Sequence, residues 1–178
     1  MNKFQDFIDL LTKKRNLHIS ILDLTGVLNT EMTEISFENT IHSKEFCNIA
    51  KSTLKGYRTC LFCKRLSNKK ALREKTFFSN HCLYGLYEGA YPVVINNSVA
   101  AIVYVGNTLI DREKAENRIT KTCKRTGVDP DLLKHYLDHT ENIEDMNELY
   151  RIVLGTLGGA RDYHGVVLDL GLALQDGN

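Results

Sequence analysis

The chain has 178 residues, 43% hydrophobic and 25% charged, with 23 Lys and Arg against 22 Asp and Glu. That balance belongs to one globular domain with a sizeable core, and excludes intrinsic disorder, collagen-like repeats and a disulfide-scaffold toxin. A formal net charge of +1 lacks the basic excess of a nucleic-acid binder, so no direct nucleic-acid contact is expected.

Phe4, Phe7, Ile8 and Leu11 recur at helical spacing and predict an amphipathic helix over residues 2–14. Leu17 to Asp23 is rich in Ile and Leu and runs into Thr25-Gly26, which reads as a strand and a turn. Lys44 to Leu54 and Thr59 to Lys75 read as two helices separated by Gly56, and Thr76 to Leu83 as a short aromatic strand. Tyr91 to Ile95 and Val99 to Val105 are β-branched runs joined by Asn96-Asn97-Ser98, an antiparallel hairpin signal. Asp111 to Thr126 reads as a helix with Asp111 at its N-cap and Gly127 at its stop, and Asp129-Pro130 opens another. The expected fold is α+β: a small antiparallel sheet with helices packed on one face.

From Asn142 to Gln175, Met146, Leu149, Val153, Thr156, Ala160, Tyr163, Val167, Leu170 and Leu174 alternate three and four apart, a heptad seam. Two readings fit: a helix on its own domain, or a dimerising helix leading to an output module beyond residue 178. Glycines 155, 158, 159 and 165 weaken such a helix but permit close approach. The expected division is one globular domain over 1–140 and a C-terminal helix over 141–178.

The first fifteen residues mix Asp6, Asp9, Lys13, Lys14 and Arg15 into the apolar pattern, unlike a secretory signal. The longest apolar run, Val99 to Val105, is far short of the roughly 20 residues of a membrane helix. Five cysteines, Cys47, Cys60, Cys63, Cys82 and Cys123, form an odd set and read as reduced thiols in a cytoplasmic protein with no membrane partner.

Cys60-x-x-Cys63 lies in a predicted helix, and its spacing to Cys82 approximates a zinc ribbon that has Gly85 in the place of a fourth cysteine. Cys47 or His81 would complete the coordination of zinc or another thiolate-bound metal. The same thiols, with Arg58, Lys64 and Arg65 nearby, admit a redox reading or a thiol enzyme acting through an acidified Cys60. Against both stands the ordinary role of free cysteine as a small apolar filler. His135 and His139 read as a solvated helix end; His18 and His42 have no partner visible in the sequence, and His164 reads as surface. No phosphate loop, nucleophile elbow, His-Glu-x-x-His or dinucleotide fingerprint occurs.

Phe46-Cys47, Cys60 beyond Gly56, Ala71, Cys82-Leu83-Tyr84-Gly85-Leu86, Ala90-Tyr91-Pro92-Val93-Val94 and Tyr104-Val105-Gly106-Asn107 follow one another in an order that resembles the PocR sensory domain over roughly residues 10–130. The resemblance implies a variant PAS-like fold found in bacterial signalling proteins and transcription regulators, joined to AraC-type DNA-binding, kinase or cyclic-dinucleotide modules. It implies a sensor of small organic molecules, short diols and simple hydrocarbon derivatives, with Cys47, Cys60 and Cys82 at or near the pocket. Three departures stand out: Leu83 where histidine is frequent, Tyr84 where small residues are common, and Asn107 where glutamine is frequent. His81, Tyr84, Tyr91, Tyr104 and Asn107 are the candidates to supply polar groups to such a ligand. The leading expectation is a non-catalytic, homodimeric sensory domain, with a metal or redox sensor built on Cys47, Cys60, Cys63 and Cys82 as the alternative and a pure interaction module as the plain one.

Overall fold

A computed structural model describes residues 8–9, 12–13, 15–26, 36–42, 44–149 and 151. The strands are β1 (His18–Asp23), β2 (Phe78–His81), β3 (Tyr87–Ile95), β4 (Ser98–Leu109) and the two-residue β5 (Glu141–Asn142). The helices are α1 (Glu45–Ala50), α2 (Leu54–Glu74), α3 (Arg112–Thr126) and α4 (Pro130–His135), with 3-10 turns at Phe37–Asn39 and Tyr136–His139. The sheet order is β1-β4-β3-β2, all antiparallel, and β5 adds a short parallel pairing to β4. The architecture is a PAS-like α+β fold.

The hairpin between β3 and β4 turns through Asn96 and Asn97, at φ 47° and 63°. Two left-handed residues match the twist of a two-residue hairpin loop, and asparagine is among the few side chains that tolerate the conformation. Both strands run further than the apolar pattern suggested, because β4 is paired on either side along most of its length and carries Gly106 and Asn107 into the ladder. Asp111 accepts the Lys114 amide at 2.9 Å, and Gly127 ends α3 at φ 73°, as the sequence predicts.

The helix break falls elsewhere than at Gly56. Thr53 caps α2, its hydroxyl accepting the Gly56 amide at 3.0 Å, so Gly56 sits in the first turn of α2 and the break is at 51–53. A Cβ on Gly56 would lie 2.2 Å from the Ala50 carbonyl oxygen and 2.9 Å from Val128 Cγ2. Glycine is there to let α1 and the loop after α3 close on α2, not to interrupt a helix.

The sheet separates two cores. One face carries Leu17, Ile19, Ile21, Ala101 and Val105, covered by Ile8, Ile143 and Leu149. The other carries Ile102, Tyr104, Ala90 and Phe78 against Ala71 of α2. This core continues into Phe46, Tyr84, Leu109, Ile119 and Leu133 among α1, α3 and α4. Ile8, Asp9, Thr12, Lys13 and Arg15 are helical, as are residues 146–149 and 151. The rest of the expected N-terminal helix, and residues 150 and 152–175 of the heptad seam, lie outside the described residues. Gly56→Ala is expected to cost roughly 1–3 kcal/mol through overpacking against a backbone carbonyl. Urea unfolding measures it, and an unchanged midpoint would mean the α1–α2 approach is looser than described.

Candidate functional site

The second core is incomplete where α1, the start of α2 and the β2–β3 turn meet the end of β4, and a cavity of about 480 Å³ remains. Its position follows from helix period. Tyr57, Cys60, Lys64 and Ser67 recur three and four apart along α2 and line one wall. Phe46, Cys47 and Ala50 of α1 line a second, and His81, Cys82, Tyr84, Leu86 and Glu88 of the β2–β3 arm a third.

Asn107 reaches the cavity through a β-bulge. Glu88 pairs with Gly106 and Tyr87 with Thr108, which leaves Asn107 as the extra residue in β4, at φ 60°. Strict alternation from Val105, whose side chain is in the opposite core, would send Asn107 to that face too. The bulge returns it to the cavity wall, where its amide donates to Cys47 Sγ at 3.3 Å.

The charged groups of the wall form one cluster. Lys64 Nζ is 2.7 Å from Glu88 Oε1 and 3.4 Å from the centre of the Tyr104 ring. His42 Nε2 stands 3.7 Å from the same carboxylate oxygen, and its ring centre is 4.9 Å from that of His18. Burial is the main force holding both imidazoles down to about 3, helped for His42 by the ammonium groups of Lys64 and Lys51, and for His18 by His42. Two histidines without a visible partner in the sequence are thus neutral neighbours behind an ion pair.

Burial acts on the thiols in the opposite direction, because the form it disfavours is the thiolate. It pushes Cys47 and Cys60 up to about 12 and Cys82 to about 11, and raises Cys63. A thiol enzyme or dithiol switch needs an acidified cysteine, and Cys60 is the reverse. Cys47, Cys60, Cys63 and Cys82 all line the cavity, yet among the described residues no group of three or more His, Cys, Asp or Glu is placed to hold a metal ion. The expected zinc site therefore has no coordinating geometry here: the helix and the turn bring the sulfurs to one cavity as wall, without converging them on one point.

The structure brings together Cys47, Cys60, His81, Cys82, Tyr84 and Asn107 of the residues expected at the pocket. Tyr84 contributes only its ring, since its hydroxyl lies within hydrogen-bond distance of the Ala50 carbonyl (3.2 Å) and Thr126 Oγ1 (3.3 Å). Tyr91 is a correction. Its position in β3, odd with Gly89 and out of phase with Glu88 and Ala90, places it on the far face, its ring 4.6 Å from that of Phe77. Tyr104 is a second: it lies under α2, donating to Asn68 and supporting Lys64 from below. Sequence reasoning missed His42, Lys51, Lys64 and Glu88. The legible signals were Glu88, the single charge in the otherwise uncharged strand β3, and Lys64, four residues after Cys60 on the same helix face.

The sequence pattern of the sensory domain found in PocR matches residues 1–154. The chain belongs to the PocR sensory domain family, and its role is sensory. No curated protein and no solved structure matches it. Among the described residues no helix is long and apolar enough to cross a membrane.

Two measurements follow from the buried groups. The folded protein keeps His18 and His42 neutral down to about 3, whereas an unfolded imidazole takes its proton near 6.5. Their contribution to stability is full above about pH 6.5 and is lost as the pH falls from there toward 3, where the unfolded state binds more protons. Urea unfolding between about pH 7 and 5 is expected to show proton uptake, reduced by up to one proton in His42→Gln; equal uptake in both proteins would contradict the burial of His42. Iodoacetamide labelling of Cys60 is expected to accelerate through about pH 10 without a plateau. A plateau near pH 7 would restore the reactive-thiol reading.

Proposed function

We propose that this chain is a non-catalytic sensory domain whose cavity takes a small organic molecule with a hydrocarbon body and a polar end, a short diol being the simplest such ligand. The observation that carries this reading is the pairing of apolar walls with one half-buried ion pair, Lys64 and Glu88, inside a cavity of about 480 Å³. Small-molecule sites have that composition, an apolar lining and a few polar groups that fix orientation. A ligand hydroxyl can donate to the Glu88 carboxylate and accept from the Lys64 ammonium, with the Asn107 amide alongside. Cys47, Cys60, Cys82, Tyr84 and His81 then serve as shape and apolar surface.

We take residues 1–140 as the sensory unit and 141–178 as the link to a regulatory output module, with homodimerisation along the heptad seam and no nucleic-acid contact by this segment. The link has a mechanical hold on the sensor: Glu141 and Asn142 pair with Thr108 and Leu109 of β4, next to Asn107, and Leu149 is buried under the sheet. A ligand that packs better against one arrangement of Asn107 and β4 shifts the link by that difference in affinity, and by no more. The free state of all five cysteines fits a reducing cytoplasm.

Thermal melting with hydroxylated hydrocarbons tests the reading. A ligand held at about 100 times its Kd adds ~2.7 kcal/mol of stability, and Lys64→Met or Glu88→Gln is expected to remove most of the shift. If no hydroxylated, carboxylated or amino hydrocarbon moves the melting temperature, the cavity is not a sensing site.

A further inference from the structure

The cavity carries a second ammonium that the ion pair does not use. Lys51 lines it at the end of α1 and is half-buried. Its Nζ donates to the His42 carbonyl at 2.5 Å, a neutral acceptor, and it makes no ion pair with the described residues. Its charge is felt at Cys47, Cys60 and His42, all three of them on the cavity wall. Glu88 is the one carboxylate of the lining, and Lys64 already neutralises it. The buried thiols and imidazoles add no charge near neutral pH, so the cavity holds one positive charge in excess. An ammonium facing an apolar cavity is costly unless a counter-charge meets it.

Size narrows the ligand further. A water occupies ~30 Å³ in the liquid, so the cavity offers room on the order of sixteen water-sized groups. A three-carbon diol has five non-hydrogen atoms. It would engage Lys64 and Glu88 and leave most of the apolar wall bare.

We infer that the ligand is a monocarboxylate with a hydrocarbon body of medium length, its carboxylate set against Lys51 and its body against the sulfur-lined wall of Cys47, Cys60 and Cys82. This rests on the sensory reading of the same cavity and replaces its generic polar end with an anionic one. A charge-assisted hydrogen bond from Lys51 is stronger than the bond a neutral hydroxyl would receive. The carboxylate also removes the excess charge that a diol leaves in place.

Calorimetric titration of the whole chain with sodium octanoate, 1-octanol, 1,2-octanediol and acetate, each below its aggregation limit, tests the inference. Octanoate is expected to bind at least about tenfold more tightly than 1-octanol, a difference of ~1.4 kcal/mol, and acetate, which has no body, to bind negligibly. In Lys51→Met the advantage of octanoate is expected to fall to about twofold while 1-octanol binds as before, and Lys51→Arg is expected to retain it. Lys51→Gln replaces the methionine variant if that protein does not fold. Binding of octanol or octanediol at least as tight as that of octanoate would overturn the carboxylate and leave the sensory reading standing. A preference that survives the loss of Lys51 would overturn its role. Failure of all four to bind would overturn this inference and leave the sensory reading to the melting screen with short diols and amines.

Discussion

One inserted residue in the central strand governs how this protein presents its cavity. β4 is bonded to β1 and β3 and, at its end, to β5, so any change in its alternation is imposed on everything packed against it. The bulge at Asn107 makes such a change. Before it, Val105 faces the core under Ile8 and Leu149; after it, Leu109 faces the core built by α1, α3 and α4. The same residue that switches the strand lines the cavity and holds Cys47. Bulges re-aim side chains next to functional sites because the twist they add is local while the register they set is not. Here Glu141 and Asn142 pair with the two residues that follow, so the cavity wall and the chain beyond residue 140 share one stretch of backbone.

Electrostatics inside the cavity are set by what burial tolerates. Neutral forms of His18, His42, Cys47, Cys60 and Cys82 are all favoured by desolvation. The charge that remains is therefore concentrated on Lys51, Lys64 and Glu88, with the Tyr104 ring under Lys64 adding a cation–π contact. A wall rich in sulfur looks like a metal or redox site in a list of residues. In three dimensions the sulfurs form part of a cavity wall, where burial disfavours the thiolate at each of them.

The family places this chain among sensors, and the cavity is its candidate site. Its polar groups are paired with one another, as Lys64 is with Glu88 and Asn107 with Cys47, and no acidified thiol is poised beside a base.

What the sequence by itself determined is local. The Asn96-Asn97 turn, the Asp111 cap, the Gly127 stop and the α2 face carrying Cys60 and Cys63 depend on neighbours within a few residues, and each is present in the structure. So is the α+β class, which follows from the alternation of those elements. The site was legible only in part. Cys47, Cys60, His81, Cys82, Tyr84 and Asn107 meet at the cavity, whereas sheet register turns Tyr91 to the far face and α2 covers Tyr104, neither of which a strand residue's own neighbours display. Only the tertiary structure decided that Gly56 is a close approach instead of a break, and that His18 and His42 lie against each other. It alone joined Glu88 to Lys64, 24 residues apart: the attraction between two charges depends on distance in space, which folding sets and the order of residues does not display.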